Sequence, residues 1–187
     1  MLNVYDFDHT IADFDSGSAF INFCWRRHPL RMLRWLPSLA VEGLRFLAKR
    51  KRGQPRGQFY RFVRSIPNVQ EEITAFWAQY ADEKLKGWYL KQKRDDDIII
   101  SCTAAFLLQP ICDELGVRLI GTEVDEKFRL KGVSCYGHEK VRRLREEFGD
   151  VQVAEFYSDS HADDPLAAIA QQAFYVRGND IEPWNFG

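Results

Sequence analysis

The chain has 187 residues, 45% of them hydrophobic, with 26 Lys+Arg against 27 Asp+Glu, a composition that excludes a disordered or fibrous chain and fits one compact core with room for an insert. Its cysteines, Cys24, Cys102, Cys112 and Cys135, form neither C-x-x-C pairs nor metal-ligand spacings, which argues against a disulfide-stapled secreted scaffold and for reduced thiols in a cytoplasmic setting. The first residues lack a basic leader followed by an apolar stretch, so no export is expected.

In chain order, residues 2–6 read as a short buried strand followed by a polar turn. From residue 16 to about residue 95, stretches rich in Trp, Leu, Arg and Gln fit helical spacing better than alternation and read as a helical insert. The apolar run 98–101 is the next strand, 104–115 a helix stopped by Gly116, and 117–122 a strand. A polar hairpin-like segment at 123–133 precedes a helix over 139–148 that stops at Gly149. Residues 151–158 read as a strand, 165–170 as a short helix opened by proline, and 173–176 as the last strand. This alternation predicts an α/β fold: a Rossmann-like parallel sheet with helices on both faces. The core is expected at 1–15 and 96–187, with 16–95 inserted into it.

In such a sheet ligands bind beyond the carboxyl ends of the strands. Three strand ends carry polar residues: Asp6, Asp8 and Thr10 after the first, Ser101 after the second, and Asp159 and Asp163 after the fourth. Carboxylates converging from two tips repel, and a hard cation such as Mg²⁺ is their natural occupant. Lys140 opens the helix before the fourth strand, near the same edge. Any one of these aspartates reads equally well as a turn former or helix cap; the set in this order does not.

The stretches Asp6-Phe-Asp8-His-Thr10, Ile98-Ile-Ile-Ser101, Gly137-His-Glu-Lys140-Val and Tyr157-Ser-Asp159-Ser-x-x-Asp163-x-Pro165-Leu resemble, in order, the four motifs of the haloacid dehalogenase superfamily. Within it they are similar to the phosphoserine-phosphatase-like branch, subfamily IB, whose C1-type helical cap lies between the first two motifs. The resemblance covers residues 1–24 and 97–187. It implies a phosphatase in which Asp6 is the nucleophile, forming an aspartyl-phosphate, while Asp8 protonates the leaving oxygen and later activates water. It implies Mg²⁺ held by Asp6, the backbone carbonyl of Asp8, and Asp159, with Asp163 in the same metal loop. Ser101, Cys102, Lys140 and Thr10 complete the phosphate-binding set, with Lys140 also offsetting charge on the nucleophile. His9 stands where the family has a small residue such as glycine, and reads as a variable position or as a group touching substrate. Lys131 is an alternative to Lys140, but it lies in the hairpin segment.

The insert carries the chain's charge asymmetry. Between residues 26 and 64 stand twelve basic residues and one acidic one, a local +11 balanced by −12 elsewhere. Over residues 31–52 a narrow polar stripe (Arg31, Arg34, Ser38, Glu42, Arg45, Lys49, Arg52) leaves a wide apolar arc, interrupted by Pro37. Its charges argue against a membrane span and for either a helix lying on an anionic membrane surface or packing within the cap or against a second subunit. Gly137-His-Glu-Lys140-Val, Tyr157-Ser-Asp159-Ser and the stretch His28-Pro-Leu leading into this apolar helix are together similar to the bacterial phosphatidylglycerophosphatase C family, which implies a lipid phosphate headgroup as substrate at the inner face of the membrane. The other reading is a soluble small-metabolite phosphatase, and nucleic acid is not an expected partner. A phosphoacceptor signalling receiver also uses acidic residues, a hydroxyl and a lysine on a parallel sheet. Receivers carry no long insert after the first strand, so the residue order disfavours that class, and the pairing of Asp6 with Asp8 disfavours a silent binding module.

Overall fold

The computed structural model describes residues 1–35 and 59–186. The sheet is built from β1 (Leu2–Tyr5), β2 (Ile98–Ala104), β3 (Arg118–Thr122), β4 (Val153–Ser158), β5 (Ala170–Arg177) and β6 (Asp180–Pro183), ordered β3-β2-β1-β4-β5-β6. Strands β1 to β5 are parallel, and β6 pairs antiparallel with β5. Strand periodicity divides the core between the two faces: Val4, Ile98, Ile100 and Phe156 pack in one apolar cluster, Tyr5 and Ile99 in the other. Across β1, β4 and β5 the rings of Tyr5, Tyr157 and Phe174 stack at centroid spacings of 4.8 Å, cross-strand pairs that hold the central register.

Before β2 the chain forms α1 (Ser16–Arg27), α2 (Pro29–Leu33), a 3₁₀ turn (Phe59–Ser65), α3 (Val69–Lys84) and α4 (Gly87–Gln92). The expected insert is therefore helical where it is described. The apolar helix expected over 31–52 falls mostly outside the described residues; within them Arg31–Leu33 belong to α2, which is opened by Pro29 and ends at Leu33. Asp15 caps α1 by accepting the Ser18 N–H at 2.7 Å. The face of α3 is aromatic, with Phe76 packing on Phe20, Phe23, Trp77 and Tyr80. The Trp77 indole donates to the Leu107 carbonyl at 2.7 Å, tying α3 to α5 (Ala105–Leu115). On the other face lie α6 (His138–Phe148) and the short α7 (Asp164–Ala167).

Gly116 ends α5 in the left-handed conformation, φ 69°, as a helix stop requires. Gly121 has a different role: a Cβ there would lie 2.9 Å from the Ala105 Cα, so β3 and α5 approach closely only because it is glycine.

Three expectations are corrected. The last strand is β6, not β5: Gly178, at φ 62°, opens a two-residue loop between paired Arg177 and Asp180, the glycine-first hairpin pattern. Asp180, Glu182 and Pro183 disguise β6 because they are poor strand formers, tolerated on an edge. Strand β5 begins at Ala170, where residues 165–170 were expected to be helical; the helix stops at Ala167. Strand β2 runs three residues past Ser101, to Ala104.

Candidate active site

Asp6 leaves β1 with its N–H on the Tyr157 carbonyl at 2.9 Å, which places it at the junction of β1 and β4. The chain then makes one wide turn, Phe7–Ile11, in which Asp8 is extended (φ −66°, ψ 133°) and His9 left-handed (φ 57°, ψ −7°). Phe7 is buried edge-on against Trp77 at 5.7 Å, and the Ala12 N–H closes the turn on the Phe7 carbonyl at 3.0 Å. An apolar anchor thus fixes a loop whose polar side chains project around the strand tip.

Lys140, in the first turn of α6, is 2% exposed, and its ammonium donates to Asp6 Oδ1 at 2.8 Å and Asp163 Oδ2 at 2.7 Å. Gly137 precedes that helix at φ 57°. Asp163 Oδ2 also accepts the Ser158 hydroxyl at 2.8 Å. Two carboxylates therefore share one buried ammonium. Burial lifts the Asp6 carboxyl to about 7 against the pull of Lys140, and Asp163 adds to the lift. Burial also draws on Lys140, but Asp6 and Asp163 outweigh it and hold the ammonium above its usual range. Set between two carboxylates, the Lys140 ammonium is protonated. Lys131 pairs with Glu123 at 3.2 Å in the hairpin.

Asp8 faces different partners. Its Oδ1 accepts the Ser16 N–H at 2.7 Å and its Oδ2 the Thr103 hydroxyl at 2.5 Å. Burial raises its pKa and these hydrogen bonds oppose the rise. Thr10 is fully buried and its hydroxyl accepts the Asp159 N–H at 3.0 Å while lying 3.4 Å from Asp159 Oδ1, which joins the β1 and β4 tips. Burial raises the Asp159 carboxyl as well. Ser101 is 1% exposed and its hydroxyl accepts the Thr103 N–H at 3.1 Å. Beside it, burial and then the charge of Asp6 push the Cys102 thiol up to about 12, so that it is neutral. His9 is exposed and lines a recess of about 290 Å³ with Lys86, Asp159, Tyr175 and Arg177.

The residues expected from the sequence thus fall into two linked groups, Asp6–Lys140–Asp163 and Asp8 with the tip of β2, joined through Thr10 and Asp159. The sequence reading missed Thr103 and Lys86, and gave Ser158, which stands in the fourth motif, no role of its own. Thr103 and Ser158 look like ordinary strand residues. Lys86, 5% exposed, gives its ammonium to the His9 carbonyl at 2.5 Å and supports the left-handed turn from the segment returning out of the insert; its surroundings in the sequence look like a charged surface.

The oxygen donors fit a small hard cation. Lys140 occupies Oδ1 of Asp6 and Thr10 approaches Oδ1 of Asp159, leaving the second oxygen of each. Among the described residues no group of three or more His, Cys, Asp or Glu side chains is arranged to hold a metal, so an ion here depends on two carboxylates, backbone oxygen, water and substrate, as Mg²⁺ commonly does. Asp163 is engaged by Lys140 and Ser158 through its Oδ2.

A family model described as haloacid dehalogenase-like hydrolase matches residues 4–168. Protein CicA from Caulobacter vibrioides is 29% identical over 197 aligned positions, covering 94% of this chain and 85% of that protein. A protein of unknown function from Bordetella pertussis has a similar fold, with TM-score 0.71 and 20% identity over 92% of this chain and 87% of that one. A phosphoserine phosphohydrolase-like protein from Francisella tularensis follows with TM-score 0.52 and 16% identity over 92% and 86%. With four motifs at four neighbouring strand and helix tips and a family match over most of its length, the chain belongs to the haloacid dehalogenase-like hydrolases.

Proposed function

We propose that the protein is a Mg²⁺-dependent phosphomonoester hydrolase working through an aspartyl-phosphate on Asp6, within a core at 1–15 and 96–187 and beneath a cap at 16–95. The observation that carries this reading is the buried Asp6–Lys140–Asp163 cluster, which supplies an oriented carboxylate beside a fixed positive charge. In the first step an Asp6 oxygen attacks phosphorus as the bond to the leaving oxygen breaks, and protonated Asp8 gives that oxygen its proton. In the second, ionised Asp8 takes a proton from water, the water oxygen attacks phosphorus, and the bond to Asp6 breaks to release phosphate. Ser101, Cys102 and Lys140 hold the phosphoryl oxygens, and Thr10 fixes Asp159 against the first loop. Asp6, the Asp8 carbonyl and Asp159 would hold Mg²⁺, which would supply charge compensation for nucleophile and phosphate. Asp163 supports the site by holding Lys140.

For the substrate we favour a lipid phosphate, of which phosphatidylglycerophosphate is an example. On α2 and at its end, Leu30 and Leu33 are 80% and 53% exposed beside Arg31 and Arg34, an apolar and cationic edge suited to anionic headgroups. Among the described residues no helix is long and apolar enough to cross a membrane; the contact we propose is peripheral, at the cytoplasmic face. The second reading, a soluble phosphomonoester, has support in the fold likeness to the Francisella protein. A panel with Mg²⁺ that includes phosphoserine, sugar phosphates and phosphatidylglycerophosphate in mixed micelles tests both. Wild type is expected to release phosphate, with the lipid preferred, and Asp6→Asn to be inactive. Near-wild-type turnover by Asp6→Asn would refute the nucleophile, and preference for a soluble ester would refute the lipid reading.

A further inference from the structure

Strand β2 keeps register with β3 through Ile100, and the register shifts before pairing resumes at Ala104. Such an irregularity re-aims side chains, and here it spans Ser101, Cys102 and Thr103. Thr103 is 7% exposed; its N–H is fixed on the Ser101 hydroxyl and its own hydroxyl lies 2.5 Å from Asp8 Oδ2. The other Asp8 oxygen is held by a backbone N–H, which can only donate. A threonine hydroxyl can donate to a carboxylate and equally to a carboxylic acid, which keeps acceptor capacity, so that the acid's single proton is not spent on the threonine. It can therefore stay bonded to Asp8 in both protonation states that the proposed reaction needs.

We propose that Thr103 is a positioning residue for the general acid, holding Asp8 so that its proton faces the leaving oxygen. The inference rests on the reading of Asp8 as the acid. A well-placed acid contributes roughly 10² to 10⁴ in rate, and loss of its orientation removes part of that contribution. The loss depends on the leaving group. An alkoxide leaves only with a proton, whereas p-nitrophenolate leaves without one, so the two esters separate acid placement from phosphate binding and from general damage to the site.

The test compares kcat/KM, which reports events up to leaving-group departure, for the best alkyl phosphate and for p-nitrophenyl phosphate at saturating Mg²⁺. Thr103→Val keeps the shape and removes the hydroxyl; Thr103→Ser keeps the hydroxyl. Thr103→Val is expected to lose about 10- to 100-fold on the alkyl ester and less than about threefold on p-nitrophenyl phosphate, with Thr103→Ser recovering most of the difference. Equal losses on both esters, or no loss, would overturn the proposal. Asp8→Asn serves as reference: if it too shows no leaving-group selectivity, the acid assignment fails before Thr103 is judged. If Asp8→Asn is selective and Thr103→Val is not, the role of Thr103 alone is refuted.

Discussion

Replacing Lys140 with methionine tests the electrostatic core of the site. The substitution keeps an unbranched apolar stem and removes the ammonium that lies 2.8 Å from Asp6 and 2.7 Å from Asp163. Both carboxylates are buried, at 8% and 2% exposure, and neither can reach bulk water to replace the lost partner. Breaking a buried pair from one side costs about 3–5 kcal/mol, a large fraction of the ~5–15 kcal/mol by which a domain is stable. At this chain length that lowers Tm by about 6–20 °C. The cost has a pH signature. Without the ammonium the folded-state pKa of Asp6, already lifted to about 7 by burial, rises further, so the penalty is full above it and fades as pH falls and a proton replaces the missing charge. Urea unfolding in EDTA at pH 8 and pH 5.5 measures both terms, because the chelator removes any cation that substitutes for the lysine. The double variant Lys140→Met with Asp163→Asn should recover a substantial part of the stability at pH 8 while remaining inactive. A loss below about 1 kcal/mol, unchanged between the two pH values, would mean that the ammonium is not buried between these carboxylates.

Asp97 is fully buried before β2, with one oxygen on the Arg94 N–H at 2.9 Å and the other without a hydrogen bond. Burial raises it from 3.8 to about 6, so the folded state loses stability as pH rises through that window, by up to about 3 kcal/mol. Asp97→Asn should match wild type in urea unfolding near pH 3.5 and exceed it at pH 7; an equal difference at both would refute the assignment. Gly121→Ala puts a methyl 2.9–3.0 Å from Ala105 backbone and side chain and should cost about 1–3 kcal/mol, read as a lower urea midpoint with unchanged slope; wild-type stability would mean that α5 moves freely against β3. Asp159→Ala should raise the Mg²⁺ concentration needed for half-maximal activity more than Asp163→Ala does, because Asp163 is already committed to Lys140 and Ser158; the reverse ranking in a Mg²⁺ titration would exchange their roles.

The parts of the fold that were legible in the sequence are those where local chemistry and tertiary demand agree. The buried strands read as apolar runs, and Gly116 and Gly149 stop their helices because the chain turns there with positive φ. The motif aspartates could be picked out because they follow strands directly. Strand β6 was not legible, since an edge strand asks little of its side chains and the signal lay in the hairpin glycine. Nor was Thr103, because a β-branched residue near a strand end satisfies strand propensity whether or not its hydroxyl has a task. Lys86 was hidden for a related reason: a lysine in a charged stretch reads as surface, and only the pairing of the two connecting segments, Ala12 with Leu85 and Ile11 with Lys86, carries its ammonium under the His9 turn.

That pairing bears on how the insert and the chemistry are joined. The first connecting segment leaves the catalytic turn at Ile11 and leads to Ser16, whose N–H holds Asp8; the second returns at Lys86, whose ammonium holds the His9 carbonyl. Both routes into and out of the insert therefore end on Asp8 and His9 in the turn that follows Asp6. Asp6 is held instead by Lys140 from the helix flanking the sheet, and Asp159 by Thr10 from the far side of the same turn. A displacement of the insert would thus act first on Asp8 and leave the Asp6–Lys140 pair in place. In the proposed reaction the site divides into the Asp6–Lys140 half, which would hold the phosphoryl group, and the Asp8 half, whose acid would depend on the connecting segments that hold it.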